Sequence, residues 1–354
     1  LVALIIGTVA AFLIGALAGP SLQMMGAEPD VIEQGIPYAQ WKGLSLLFEF
    51  LTMTFTAGLR GAGNTRLPML SGMLVNIINV CGNYALIGGH WGFPAMGAQG
   101  AGLATAAAHF VGMIVVMVLT IARPNPISDF YKGSFRPHLD TLRSVLTIGL
   151  PASGERLALR GAQLVYVRAI AGLGTNAYAA HQIAIRIESL SLVVGFSFGV
   201  SATTLVGQYL GYGDPEKAEE AAWKCQKIAS TLMGFAGVAL FLTAPYVVEL
   251  FIPDNPEVVG LGAHVLRIVA VAQPIMGMNR VLAGSLRGAG DTTWTMLITG
   301  GSAWVVRVGL SHLFVGLLGF HLPGAWYAMV ADLFVRSILF RRRFKAGHWK
   351  EIRV

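Results

Sequence analysis

The chain alternates between apolar runs of about 20 residues and short polar segments, and this pattern repeats from one end to the other. A helix of that length crosses roughly 30 Å of hydrocarbon. The pattern therefore predicts an all-α membrane protein with ten transmembrane helices. Their predicted positions are residues 1–24, 34–60, 67–88, 97–122, 142–171, 178–210, 225–252, 258–287, 294–317 and 323–341.

The loops between these helices alternate in charge. One set contains no Lys or Arg, whereas the opposite set is basic and includes Arg60, Arg66, Arg123, Lys132, Arg136, Lys217, Lys224, Arg341, Arg342, Arg343 and Lys345. Because basic loops are retained on the inner side of a membrane, the basic set and the C-terminus are predicted to be cytoplasmic. We expect a multi-pass protein of the plasma (inner) membrane, with the basic tail anchored on lipid headgroups.

An internal repeat divides the chain. Residues 59–65 read Leu-Arg-Gly-Ala-Gly-Asn-Thr, and residues 286–292 read Leu-Arg-Gly-Ala-Gly-Asp-Thr, an offset of 227 from Arg60 to Arg287. The same offset pairs Pro29 with Pro256. The repeat predicts an N-lobe at residues 1–124, a cytoplasmic connector at 125–141, a C-lobe at 142–341 and a basic tail at 342–354.

The predicted C-lobe contains six helices, whereas the N-lobe contains only the last four of its repeat. We therefore expect an N-terminally truncated form of a twelve-helix, two-lobe (6+6) protein, and the chain begins with Leu1 instead of Met. Halves with an even number of spans point the same way across the membrane, and carriers built like this bind substrate between the halves. The repeat thus indicates a transporter.

Composition narrows the function further. Charged residues make up 12% of the chain, compared with roughly 25% in soluble domains. The net charge of +7 is spread over alternate loops, which argues against a nucleic-acid partner. There is no nucleotide-binding Gly-rich loop and no clustered catalytic or metal-ligand spacing. We expect no enzyme activity, no catalytic residue, no metal and no cofactor apart from a coupling ion.

The sequence contains further motifs beside the two Leu-Arg-Gly-Ala-Gly blocks. They are Gly149-Leu150-Pro151, and Leu205-Val206-Gly207-Gln208 with the following Gly211-Tyr212-Gly213-Asp214. Together, these motifs resemble the multidrug and toxic compound extrusion (MATE) family. The resemblance covers the whole chain as the family's helices three to twelve. It implies Na⁺- or H⁺-coupled antiport that exports small amphipathic or cationic compounds. Membrane lipids and a small organic substrate are the expected partners of a monomer.

The repeated block itself favours a structural interpretation. Its glycines, Gly61, Gly63, Gly288 and Gly290, suit a helix C-cap and a tight turn. Arg60 and Arg287 are expected to contact lipid phosphates or last-turn carbonyls.

Polar residues within the predicted spans are the functional candidates, since such groups are costly in a bilayer. Asn79 and Asn83 share a helix face, and Thr105 can approach them. The family resemblance implies an N-lobe cation site in which Asn79 and Thr105 match the family and Asn83 replaces an acid. Interhelical amide packing is the alternative.

In the C-lobe, Glu155 and Glu188 are expected to line a cavity, with Arg160 or Arg186 as charge partners. His181, seven residues before Glu188, lies on the same face. The family's acid on this fifth helix would fall at Leu159, so Glu155 departs from that pattern. A static Glu–Arg pair is the alternative.

Glu49 is a candidate for attracting cationic substrate in the N-lobe, and Asp332 is expected to pair with Arg336. Two other functions remain open from sequence. One is a flippase for lipid-linked saccharides, which has a related architecture, and the other is a non-transport membrane scaffold.

Overall fold

The computed structural model describes residues 2–122 and 139–352, and these residues form helices joined by turns. The elements are α1 (Val2–Met24), α2 (Pro29–Gly61), α3 (Arg66–Gly88), α4 (Gly97–Ala122), α5 (Leu139–Ala171), α6 (Thr175–Gly211), α7 (Pro215–Glu249), α8 (Pro256–Gly288), α9 (Thr292–Ser302), α10 (Gly309–Ser311), α11 (His321–Lys345) and a final 3₁₀ turn (His348–Glu351). The predicted all-α fold is confirmed.

The ninth predicted span is one continuous helical stretch with two irregular turns. π-Helical turns at Ala303–Val308 and His312–Leu317 flank the short α10, so the stretch from α9 onward reaches Leu317. Counted this way, the described residues contain the ten predicted spans. Six helices are long and apolar enough to cross a membrane by composition alone: α1, α3, α4, α6, α7 and α8.

The predicted start of the seventh span was wrong by ten residues. Helix α7 begins at Pro215, because the Asp214 side chain caps it by accepting a hydrogen bond from the Lys217 amide at 3.0 Å. Proline at the first helical position has no amide hydrogen to satisfy. The first turns of α7 are amphipathic, so the apolar run that predicted residue 225 begins only after them.

The described residues fall into two compact units on either side of segment 123–138. The first unit contains α1 to α4, and the second contains α5 to the final 3₁₀ turn. Residues 125–138 of the predicted connector, with Lys132 and Arg136, lie outside the described residues. Residues 139–141 form the start of α5.

In the first unit, small residues allow α4 to pack tightly against α2 and α3. A Cβ atom at Gly100 would lie 2.5 Å from the Leu86 carbonyl oxygen, and one at Gly112 would lie 2.2 Å from the Val75 Cγ2 side-chain atom. At Gly100 only glycine permits the close approach of the two backbones.

In the second unit, α8 is the central helix and packs against α6, α7 and α11. A Cβ atom at Gly284 would lie 2.3 Å from the Gly199 carbonyl oxygen, and one at Gly288 would lie 2.4 Å from the Thr203 carbonyl oxygen. Gly288 is the last residue of α8, and its lack of a side chain allows α8 to contact α6 closely.

The repeat is visible in the helix bounds. Helices α2 and α8 both have 33 residues, and their bounds differ by the offset of 227 found in the sequence. Each is followed by a glycine with φ of +84°, Gly63 and Gly290, whose amide donates to the carbonyl of Arg60 or Arg287. This is the Schellman arrangement that ends many helices.

Part of the C-terminal tail packs onto the second unit. Phe344 is buried and stacks on the buried Trp349, with ring centroids 4.7 Å apart. Arg343 binds Asp291 at 2.8 Å, and Lys350 pairs with Glu219 at the start of α7. The expected anchoring role therefore does not hold for Arg343, whereas Arg341 and Arg342 are exposed.

Gly284→Ala should destabilise the second unit. The new methyl group meets backbone atoms of α6 that cannot rotate away, and overpacking of this kind costs about 1–3 kcal/mol. Thermal unfolding of the purified protein in detergent measures the effect.

Gly301→Ala is the matched control, since its Cβ meets no atom within 4 Å in α9. It should leave the unfolding temperature unchanged or raise it slightly, because alanine favours helix. Equal stability of the two variants would contradict the close packing of α6 and α8.

Candidate functional site: buried polar residues of the two units

The structure brings the three candidate residues of the first unit together. The Asn79 amide donates to the Thr105 hydroxyl at 3.1 Å, and the Asn83 amide donates to the Asn79 Oδ1 at 3.1 Å. The Thr105 hydroxyl donates to the Ala101 carbonyl. The buried Asn83 Oδ1 has no partner among the described residues. The cluster is neutral, and its oxygens are of the type that coordinate hard cations.

Glu49 lies on α2 and faces Lys42, two turns earlier on the same helix. The Glu49 carboxylate and the Lys42 ammonium are 3.7 Å apart, and both side chains are partly exposed. His109 on α4 lies within electrostatic range of both groups. Glu49 therefore already has a cationic neighbour within the first unit.

Glu155 is buried, with 3% of its surface exposed, and its partner is Arg287. The Arg287 Nη2 atom donates to the Glu155 carboxylate at 2.5 Å, which joins α5 to the end of α8. The partner of the Arg287 guanidinium is therefore the Glu155 carboxylate, and not the lipid phosphate or last-turn carbonyl that we expected.

The predicted charge partners were wrong. Arg160 and Arg186 are both exposed, and neither pairs with Glu155 or Glu188 among the described residues. Helix geometry explains this, because each residue turns the helix by 100°. Arg160 is turned about 140° away from Glu155, and Arg186 about 160° away from Glu188, so each points to the opposite side.

Asp332 on α11 is the centre of a second buried ion cluster. Its carboxylate is fully buried and binds both Arg336, at 2.6 Å, and Arg307, at 2.8 Å. The Arg336 Nε also donates to the Ser302 hydroxyl at 2.8 Å. The expected Asp332–Arg336 pair is present, and Arg307 is an additional member.

Sequence reasoning missed Arg307 and Arg280. Arg307 lies in the first π-helical turn, which changes the direction of its side chain, and such turns are frequent at functional sites. Arg280 lies within α8, stacked over the Phe196 ring at 4.1 Å. Both arginines lie within predicted spans, and a charged residue at such a position was the sequence signal that could have identified them as candidates.

Glu188 and His181 share one buried face of α6. Glu188 is 5% exposed and makes no ion pair with a described residue, although Arg280 and Arg307 lie within electrostatic range. His181 is fully buried against the rings of Tyr166 and Trp326, at 5.9 and 5.7 Å. The second unit therefore encloses carboxylates, arginines and an imidazole within one helix bundle.

The described residues contain no group of three His, Cys, Asp or Glu side chains placed to hold a metal ion. An open groove of about 540 Å³ runs between the start of α5 and Thr293, and none of the candidate residues lines it. The buried candidates Glu155, His181 and Glu188 lie instead inside the bundle of the second unit.

Long apolar helices that carry buried ion pairs and amide clusters define the class: this is a multi-pass membrane protein. The MatE family model matches residues 1–85 and 151–313, which is more than half of the chain. The chain belongs to the MatE family, as the resemblance of its repeated motif indicated.

Curated relatives agree with this assignment. The chain is 32% identical over 297 residues to the probable multidrug resistance protein NorM of Thermotoga maritima, covering 84% of this chain and 63% of that protein. It is 30% identical over 351 residues to the multidrug resistance protein PmpM of Pseudomonas aeruginosa, covering 95% and 72%. The chain thus spans about two thirds of the length of these relatives.

A solved structure shows the same fold. The outward-facing conformation of a multidrug resistance MATE family transporter of the MOP superfamily superimposes with a TM-score of 0.89 at 24% identity. The match covers 98% of this chain and 77% of that one.

Asp332→Asn should strongly destabilise the second unit. The substitution leaves the buried Arg336 and the mostly buried Arg307 without their counter-charge, and breaking a buried pair in this way costs roughly 3–5 kcal/mol. Thermal unfolding in detergent should show a large decrease in melting temperature.

Glu220→Gln provides the comparison, because Glu220 pairs with Lys224 on the exposed start of α7. Exposed pairs of this kind contribute little to stability. Equal melting temperatures of Asp332→Asn and Glu220→Gln would show that the Asp332 ion cluster does not stabilise the protein.

Proposed function

We propose that the protein is a secondary transporter that exports small amphipathic or cationic organic compounds in exchange for Na⁺ or H⁺. The observation that carries the proposal is the buried carboxylate of Glu155 bound to Arg287, the arginine of the second repeated block. The names of the relatives, multidrug resistance proteins, support the same class of substrate.

The Glu155–Arg287 pair has the properties of a proton-sensitive link between two helices. A buried carboxylate is stable as an ion only while a cation stays beside it. When a proton binds the carboxylate, the attraction to Arg287 is lost, and the partly exposed Arg287 is free to turn towards water. The contact between α5 and α8 then differs between the two protonation states, as alternating access requires.

The Asn79–Asn83–Thr105 cluster is the proposed cation site of the first unit. Its amide and hydroxyl oxygens can replace part of the hydration shell of Na⁺, and Asn83 Oδ1 has no other described partner. Without a carboxylate, such a site binds weakly. Glu49 contributes negative charge that attracts a cationic substrate, moderated by Lys42.

The proposed setting is the inner membrane, with the basic loops and the C-terminus on the cytoplasmic side. The exposed Arg341 and Arg342 at the end of α11 fit contact with lipid headgroups there. We propose that the protein works as a monomer, with membrane lipids and the organic substrate as its partners and the coupling ion as its only cofactor.

Glu155→Gln should abolish proton-coupled export. Glutamine keeps the size of the side chain but cannot exchange a proton or hold Arg287 as an ion pair. In proteoliposomes that carry a fluorescent organic cation, wild-type protein should transport under a pH or Na⁺ gradient imposed separately. The variant should lose the pH-driven component.

Asp140→Asn is the control, because Asp140 is an exposed acid in the first turn of the same helix. It should transport at the wild-type rate. Transport by Glu155→Gln at the wild-type rate, at equal protein level, would remove this carboxylate from the coupling mechanism.

Asn83→Asp should strengthen Na⁺ binding in the first unit. A carboxylate adds one negative charge beside Asn79 and Thr105, and ligand charge tunes cation affinity, here by on the order of tenfold. The Na⁺ concentration needed to raise the melting temperature of the purified protein reports the affinity.

Asn76→Asp makes the same change at an exposed position of α3. It should not alter the Na⁺ dependence. If both variants behave alike, or if Asn83→Asp leaves the Na⁺ dependence unchanged, the three polar residues do not form a cation site.

A further inference from the structure

Five buried side-chain atoms in the second unit have no hydrogen-bond partner among the described residues. They are His181 Nδ1, His181 Nε2, Trp326 Nε1, Gln273 Nε2 and Asn279 Oδ1. Each unmet buried donor or acceptor costs roughly 1–3 kcal/mol, and native interiors contain few of them. Buried water satisfies such atoms in other proteins, so their concentration in one helix bundle calls for the same explanation.

The atoms of His181, Trp326 and Gln273 lie on or beside one face of α6. His181 and Glu188 lie on the same face of α6, about 10 Å apart along the helix axis. Next to them, the Ser191 Oγ lies 2.8 Å from the Glu188 backbone carbonyl oxygen and 3.0 Å from Gln273 Oε1, so its single hydroxyl hydrogen donates to either one. Gln273 of α8 therefore joins the polar groups beside Glu188 on α6.

Trp326 of α11 lies beside His181, and its ring contacts the imidazole edge to face. Asn279 lies about 9 Å further along α8 than Gln273 but is turned about 120° from it, and its amide donates to the Leu333 carbonyl of α11 at 2.9 Å. Side-chain atoms without described partners thus occur beside His181 and beside Glu188, and Asn279 adds one at the α8–α11 contact.

We propose that the second unit contains a buried, water-filled path that carries protons from His181 to Glu188. The path uses α6, α8 and α11 and is separate from the Glu155–Arg287 pair on α5 and α8. Its role in transport rests on the proposed antiport function, whereas its hydration and its proton transfer to Glu188 do not.

The transfer needs only acid–base chemistry. Neutral His181 accepts a proton from water on one ring nitrogen and releases the proton of the other nitrogen to the next water. The proton reaches the Glu188 carboxylate, which becomes a neutral carboxylic acid. One proton moves, no bond between heavy atoms changes, and the imidazole returns to neutral after a tautomer change.

Several charged groups face Glu188 from the neighbouring elements. Arg280 of α8 and Arg307 of the first π-helical turn lie within electrostatic range of the carboxylate and favour its ionised form before the proton arrives, and Asp332 binds Arg307. Tyr166 of α5 also faces this region, but its hydroxyl donates to the Ala325 carbonyl at 2.9 Å. Its proton is therefore engaged in a fixed hydrogen bond.

Arg280 links the arrival of the proton to the contact between α6 and α8. Its guanidinium stacks on Phe196, pairs with no acid among the described residues, and lies within electrostatic range of Arg287, Arg307 and Arg336. Protonation of Glu188 removes an attraction that offsets these repulsions across the α6–α8 contact. Loss of that attraction changes the electrostatic contact between the two helices.

Hydroxyl-radical footprinting by pulsed X-ray irradiation tests the buried water directly. Radicals form from water beside a side chain, so Trp326 should be oxidised several-fold faster than Trp349. Both indoles are fully buried, but Trp349 Nε1 donates to the Phe344 carbonyl at 2.8 Å, whereas Trp326 Nε1 has no described partner. Equal oxidation rates would overturn the proposal.

Proton arrival is measured by time-resolved infrared spectroscopy after a pH jump on purified protein. Glu188→Gln identifies the carboxylic C=O band of Glu188. In His181→Phe, which keeps an aromatic ring but removes both nitrogens, this band should appear several-fold more slowly than in wild type.

His264→Phe is the control, since His264 is exposed on α8. It should show the wild-type rate. If the Glu188 band appears at the wild-type rate in His181→Phe, the proposed proton path through His181 is wrong, even if Trp326 is hydrated. Neither measurement requires transport, so a failure of the antiport assay remains distinguishable from a failure of this proposal.

Discussion

The cost of placing charge inside an apolar helix bundle governs the arrangement of the second unit. A charged side chain enclosed by apolar helices is stabilised as an ion by an opposite charge beside it, since hydrocarbon offers no partner. Glu155 meets this requirement through Arg287, and Asp332 through Arg307 and Arg336. These contacts bring α5, α8, α11 and the first π-helical turn to fixed positions, while glycines such as Gly284 let α6 and α8 approach closely enough.

The two repeats use the same turn for different chemistry. After α2, the Asn64 side chain accepts a hydrogen bond from the Leu67 amide at 3.2 Å and so caps the next helix. After α8, the equivalent Asp291 binds Arg343 of α11 at 2.8 Å. A single amide-to-acid difference thus converts a local cap into a long-range ion pair. The same division holds more widely: the described core of the first unit relies on amides, and that of the second on charges.

The buried polar residues of the second unit fall into two groups with different physical roles. In the first group, each charge is matched, and removal of one partner leaves another buried and unpaired. In the second, Glu188 and Arg280 lie within electrostatic range without a direct ion pair, and His181 on the same face of α6 has no described hydrogen-bond partner. Matched pairs favour a single conformation, whereas unmatched groups leave room for water and for a change of protonation. The proposed ion-coupled transport requires both properties.

Local periodicity in the sequence determined the ten helices, the repeat and the glycine-ended turns, because hydrogen bonds and side-chain faces within a helix depend on neighbours a few residues away. It also placed His181 and Glu188 on one face. Only the tertiary structure decided which charged residues pair. Glu155 and Arg287 are 132 residues apart, and the sequence does not indicate which of several arginines binds a given carboxylate. The π-helical turn that directs Arg307 towards Asp332 is likewise set by packing, since nothing in its apolar sequence distinguishes it from an ordinary helix.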